Sequence, residues 1–149
     1  MPQKIPGAAD GDGRSEKEKT EFDRMLSCIT DLYLTTLVLI ILDNSSVSRF
    51  WPLMEAWCSM MTVTEAGVSS AVEASHRYTI ECIGNADPEY DIPKLEKMLK
   101  NKTPKEILDK LAENDVLLTN AKDKETMLPI VLATNEHIKE MLERAAYSA

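Results

Sequence analysis

The chain has 149 residues, 44% of them hydrophobic and 28% charged, with a formal net charge of −8 and a sequence pI near 4.8. That length predicts a single domain, and so acidic a balance excludes nucleic acid as the main partner and an electrostatic membrane anchor, because both need a Lys/Arg surface. The longest apolar run, Leu37 to Leu42, is far too short for the ~20 residues that span a bilayer, so no membrane insertion is expected.

In chain order, residues 1–19 are rich in Gly, Pro and charge without an apolar period, and are expected to be a disordered tail before one domain at 20–147. A helix is predicted from about Ser15, with Phe22, Leu26, Ile29, Leu32 and Tyr33 as its stripe, ending at Thr35-Thr36. Leu37 to Leu42 reads as a strand buried on both faces, which places it in a parallel sheet covered by helices. Asp43, Asn44, Ser45 and Ser46 form a polar turn. Ser46 or Ser48 then caps a helix in which Phe50, Trp51, Leu53, Met54, Trp57 and Met60 recur at helical spacing. Pro52 suits its first turn, and the helix ends near Met61 or Thr62. Thr64 to Ser75 reads as a small polar loop. Arg77 to Ile83 alternates like a strand nearer a sheet edge, and Gly84 to Asp91 reads as a loop. A short helix follows at Lys94 to Lys100. Thr103, Pro104, Lys105 and Glu106 make a capping box that opens a helix to about Ala112. Asp115 to Asn120 reads as a third strand. Lys122 to Ala146 closes the chain as a helix that Pro129 either starts or kinks.

The order α, β, α, β, αα, β, α predicts a three-layer α/β/α domain around a short parallel sheet of about three strands. In such sheets ligands sit beyond the carboxyl ends of the strands, so Asp43 to Glu55 is the first place to seek a site. Cys28, Cys58 and Cys82 are widely spaced, without a CxxC or Cys/His cluster. They read as buried hydrophobes in a reducing, cytoplasmic setting, with neither a metal site nor a resident cofactor. The polar N-terminus lacks the apolar segment of a secretory signal. His76 and His137 have no Ser or Cys partner at a recognisable spacing, and no phosphate-binding glycine motif occurs.

The succession VLIILDNSSVSRFWPLMEAW resembles the second half of a Toll/interleukin-1 receptor (TIR) domain, and the likeness to a flavodoxin-like sheet follows from it. There an apolar strand ends in a Ser/Asp turn, followed by a helix start of the form S-x-x-W-C-x-x-E. Ser48, Trp51 and Glu55 keep that spacing, with Pro52 where the family prefers Cys. RYTIECI followed by NADPEYD is similar to the family's next strand and its Asp-Pro loop, here Asp87-Pro88. The family's first two strands, and the loop after the second, have no counterpart. A fragment or a shortened relative is therefore expected, with a bare edge on the Leu37 strand.

Three functions remain open. The leading one is a signalling or assembly module that meets a protein partner, or a second copy, through the Val38–Leu42 sheet edge, since an unpaired apolar edge invites strand addition. The resemblance implies an alternative, an NAD glycohydrolase in which Glu55 stabilises the oxocarbenium-like charge that grows on ribose. Asp43, Ser46, Arg49 and Trp51 are the candidate ligand-binding residues around it, and Trp57 a further candidate for a ring pocket. Each has a plainer structural role: turn capping for Asp43, solvation for Arg49, core packing for the two tryptophans. The third function is a degenerate fragment without activity of its own.

Overall fold

The structure is a computed structural model and describes residue 6 and residues 12–117 and 122–147. It is a mixed α/β fold: helices α1 (Glu16–Ser27) and α2 (Ile29–Thr35), strand β1 (Val38–Leu42), α3 (Phe50–Met60), β2 (Met61–Thr64), β3 (Gly67–Ser70), β4 (Tyr78–Cys82), α4 (Pro88–Leu99), α5 (Pro104–Ala112) and α6 (Lys122–Tyr147). Most of the expected tail, 1–5 and 7–11, lies outside the described residues.

The hub is helix α3 rather than the strand before it. Phe50, Leu53, Met54, Ala56, Trp57, Cys58, Ser59 and Met60 are all buried, so the helix is covered almost all round, as a central core helix must be. Helices α2, α4 and α5 and strands β2 and β4 pack against it. Trp57, 2% exposed, donates its indole N–H to the Lys102 carbonyl at 3.0 Å. No serine caps α3, contrary to expectation. Ser46–Ser48 form a separate 3-10 turn, and Arg49 holds the cap position without a side-chain bond. A backbone bridge takes the cap's place: Phe50 N–H donates to the Leu117 carbonyl at 3.1 Å, and Leu117 N–H to the Ser48 carbonyl at 2.7 Å. That parallel bridge between Arg49 and Leu117 is what is described of the expected third strand, because 118–120 fall outside the described residues.

β1 and β4 pair in parallel, from Val38 opposite Tyr78 to Leu42 opposite Cys82. The expectation of a strand buried on both faces is overturned. Burial along β1 alternates, with Leu42 at 1% exposure but Leu39 at 59% and Ile41 at 47%. Val38, Ile40 and Leu42 share the inner face with Tyr78, Ile80 and Cys82. The outer face carries Leu39 and Ile41 beside Thr79 and Glu81, and all four are exposed. An apolar run fixes a strand, but its burial depends on what is available to cover it.

Further differences have local causes. The first predicted helix breaks in two at Cys28, where φ −102° and ψ 4° leave the helical region, and Cys28 is exposed rather than buried. Cys58 is buried as expected, and burial pushes its thiol up to about 12. The predicted loop from Thr64 begins inside an antiparallel hairpin, β2 with β3, where Met61 pairs with Ser70 and Thr64 with Gly67. α4 starts at Pro88, six residues before the predicted Lys94. Asp87 caps it by accepting the Glu89 N–H at 3.0 Å, and Pro88 fills the first helical position, where a missing N–H costs nothing. The Thr103 capping box is present as predicted, with both reciprocal bonds made. Pro129 lies inside α6.

Helix α6 ties back to the N-terminal half. Thr30 Oγ1 and Thr134 Oγ1 lie 2.8 Å apart, and Asn135 Oδ1 accepts the Val68 N–H at 2.9 Å. The chain approaches Asn135 closely enough that a Cβ on Gly67, whose φ is +99°, would lie 2.6 Å from that oxygen. Asn135→Ala leaves the buried Val68 N–H without its acceptor. The expected cost is about 1–3 kcal/mol, read as a lower urea midpoint at unchanged slope.

Candidate functional site

A cleft of about 360 Å³ runs along the edge of β1 that is unpaired among the described residues, between that strand, Tyr33 of α2, and Pro52, Glu55 and Ala56 of α3. Asp43, Ser46 and Arg49 stand at its rim, and Ile83 also lines it. Four of the five candidate site residues, Asp43, Ser46, Arg49 and Glu55, therefore meet in one place. The expectation that Glu55 returns to the exit of β1 is met in the geometry. Trp51 is not on the cleft wall. It packs partly buried on the core, edge-on to Phe50 with ring centroids 5.7 Å apart. Trp57 is core as well, which removes the ring-pocket reading for it.

At the strand exit one carboxylate oxygen gathers four donors of the turn. Asp43 Oδ1 accepts from Ser46 N at 2.7 Å, Ser46 Oγ at 2.7 Å, Ser45 Oγ at 2.9 Å and Ser45 N at 3.0 Å. The serine hydroxyls, Ser46 first, hold this carboxyl down at about 2. Asp43 and Ser46 thus spend their polar groups on the turn, the role expected of an Asp at such a corner.

Glu55 is different. It projects from the hub helix into the cleft wall, half-buried, on the same cleft as Tyr33. Burial raises its affinity for a proton, and the neighbouring Tyr33 hydroxyl works against that. Among the described residues it makes no ion pair, although the exposed Arg49 lines the same cleft. Burial first, then the Glu55 charge, push the Tyr33 phenol up to about 12. A folded-state pKa above the unfolded one means that the native chain prefers the protonated acid. The contribution of this one group to stability is then fully present at low pH and is lost as pH rises through the raised value. Glu55→Gln keeps the acceptor for Tyr33 without the charge. It is expected to raise Tm at pH 7, with the gain fading below about pH 4 where the wild-type carboxyl is neutral in both states. A Tm gain that is independent of pH would contradict this.

The edge itself supplies the remaining groups. Val38 N–H donates to the Arg77 carbonyl at 2.7 Å, and Ile83 N–H to the Leu42 carbonyl at 2.9 Å. In a parallel ladder alternate residues turn their backbone groups to one neighbour. Val38, Ile40 and Leu42 therefore face β4, and Leu39 and Ile41 turn their N–H and C=O groups toward the open edge. Among the described residues no strand pairs there. Ser46 Oγ approaches the Ile41 carbonyl at 3.5 Å and closes the exit end. Sequence reasoning missed Tyr33, which it placed in the core stripe of the first helix.

His76, expected in a loop, lies at the end of the 3-10 turn Glu73–Ser75 and stacks on Tyr78 with ring centroids 5.0 Å apart. Among the described residues no helix is long and apolar enough to cross a membrane. Compared with known proteins, the chain matches no family model, no curated protein and no solved structure.

Proposed function

We propose that the chain is an assembly module that accepts a strand at the open edge of β1, in the manner of a TIR-like half-domain whose neighbouring strand and third layer come from another chain. One observation carries this reading: β1 is a five-residue aliphatic strand with one edge unpaired among the described residues, and its outward residues Leu39 and Ile41 are about half exposed. An exposed apolar edge is a template for pairing, and natural proteins usually blunt theirs with charge, proline or a cover. β1 carries none of those residues. The test is amide exchange at β1, alone and with an extended Val/Thr hexapeptide, beside solution mass over a concentration series. Leu39 and Ile41 amides are expected to exchange faster than those of Ile40 and Leu42 in the free chain, and to slow when a strand is added. A strict monomer with all four amides equally protected, and no response to the peptide, would overturn it.

Glu55 supports a second reading, cleavage of NAD, because it is a half-buried carboxylate in the wall of a cleft. Such a group can stabilise positive charge growing on ribose as nicotinamide leaves. Nicotinamide release from NAD, wild type against Glu55→Ala, decides it: release that is absent, or unaffected by the change, removes the enzyme. Failure of both readings leaves a fragment with no activity of its own.

A further inference from the structure

The edge of β1 and the wall of the cleft beside it together constrain what can bind. A strand added to β1 points alternate side chains to the two faces of the sheet. Those on the outer face meet Leu39 and Ile41. The cleft runs along the edge and is lined by Leu39 and Ile41 as well, and the inner-face side chains of the added strand lie toward its Ile40, Pro52, Glu55 and Ala56 wall. The outer requirement is apolar. The inner one is set by Glu55, which any strand lying over the cleft withdraws further from water. A half-buried carboxylate so covered must be paired, or it is driven to take up a proton. Within the described chain the cation on the same cleft is Arg49, exposed at the rim, and no ion pair joins it to Glu55.

A second copy of β1 does not meet that need. An antiparallel register that joins the outward backbone groups of two such strands puts Val38, Ile40 or Leu42 of the copy over the cleft, a parallel one puts Leu39 or Ile41 there, and all five are aliphatic. A two-fold axis there would also bring the Glu55 of each copy to the same seam, in a chain already at −8. The length is bounded too. Only Leu39 and Ile41 offer outward groups, and the Asp43–Ser46 turn closes the exit end.

We infer that the open edge of β1 takes a short, extended, basic segment of a different protein, with β-branched apolar residues on its outer side and one lysine or arginine on its inner side, reaching Glu55. This rests on the strand-accepting reading above and adds the charge of the partner to it. The mode is strand addition, in which main-chain bonds supply affinity and alternate side chains supply specificity.

The probes are fluorescein-labelled heptapeptides measured by anisotropy at low salt: Ser-Thr-Val-Lys-Val-Thr-Ser, its twin with Glu for Lys, and a twin of the first N-methylated at both valines. Added antiparallel, with its valines opposite Leu39 and Ile41, the peptide turns the valine N–H groups toward β1, so methylation blocks pairing without touching the protein. The lysine peptide is expected to bind at least tenfold more tightly than the glutamate one. That preference should collapse in Glu55→Gln and survive in Glu81→Gln, an acid on the outer face beside Ile41. The methylated twin should lose at least tenfold.

Equal binding of the lysine and glutamate peptides, with loss on methylation, would overturn the charge requirement while leaving strand addition standing. A preference erased equally by Glu81→Gln and Glu55→Gln would reduce it to attraction by net charge and overturn it as well. A concentration-dependent dimer abolished by Leu39→Asp would make the occupant a second copy. Binding of no peptide by a strictly monomeric chain would end both this inference and the reading beneath it.

Discussion

Trp57→Ala is expected to cost about 3–5 kcal/mol of folding free energy, enough to leave a domain of ordinary stability unfolded in much of its population at 37 °C. Trp57 is among the largest fully buried side chains and sits on the helix that the other elements surround. Its removal opens a cavity against α3's neighbours and strips the Lys102 carbonyl of its donor, in the loop between α4 and α5. Trp57→Phe separates the two effects. It keeps most of the volume and loses the indole bond, and its expected cost is about 1–3 kcal/mol. Urea unfolding of the three proteins, followed by far-UV circular dichroism, gives the order wild type, Phe, Ala. A Trp57→Ala protein within 1 kcal/mol of wild type would mean that α3 is not the hub.

Leu42→Asp and Leu39→Asp, three positions apart on one strand, are expected to diverge sharply. Leu42 points into the core at 1% exposure, so an aspartate there is buried without a partner and costs several kcal/mol, and the domain should not fold. Leu39 lies on the outer face at 59% exposure, where a charge falls within about ±0.5 kcal/mol of neutral for stability. Yet Leu39→Asp places a charge on the seam where an added strand would lie, and should abolish strand binding at unchanged Tm. Two unfolded proteins would mean that the outer face is covered in solution. Two folded ones would place β1 outside the core.

These expectations show which parts of the molecule the sequence carries openly. β1 is legible because an aliphatic run with a polar stop has few alternatives, and α5 because Thr103 and Glu106 satisfy each other's backbone. The meeting of Asp43, Ser46, Arg49 and Glu55 was legible too, since a strand, a tight turn and a helix leave little freedom between them. Other features depend on partners distant in sequence. Nothing within VLIIL says that Leu39 and Ile41 go uncovered, because that depends on layers supplied from elsewhere. The β2–β3 hairpin was hidden by its small polar residues, although Met61-Thr62-Val63-Thr64 alternates and Gly67 takes the positive φ that its entry into β3 requires. The start of α4 was readable and missed: Asp87-Pro88 is a cap followed by a first-position proline, and the loop-like composition of GNADPEYD obscured it. Trp51 lies off the cleft, because helical spacing does not say which side of α3 meets it.

The ties between α6 and the N-terminal half span 104 residues, from Thr30 to Thr134, and 67, from Val68 to Asn135. Closing loops of that size is slow, because chain entropy is lost before any contact returns it. A nascent chain can therefore wind α3 early yet keep its hairpin unlatched until α6 leaves the ribosome. Over that interval the Val68 N–H lacks its Asn135 acceptor, so the β2–β3 hairpin is the part of the fold that sets last.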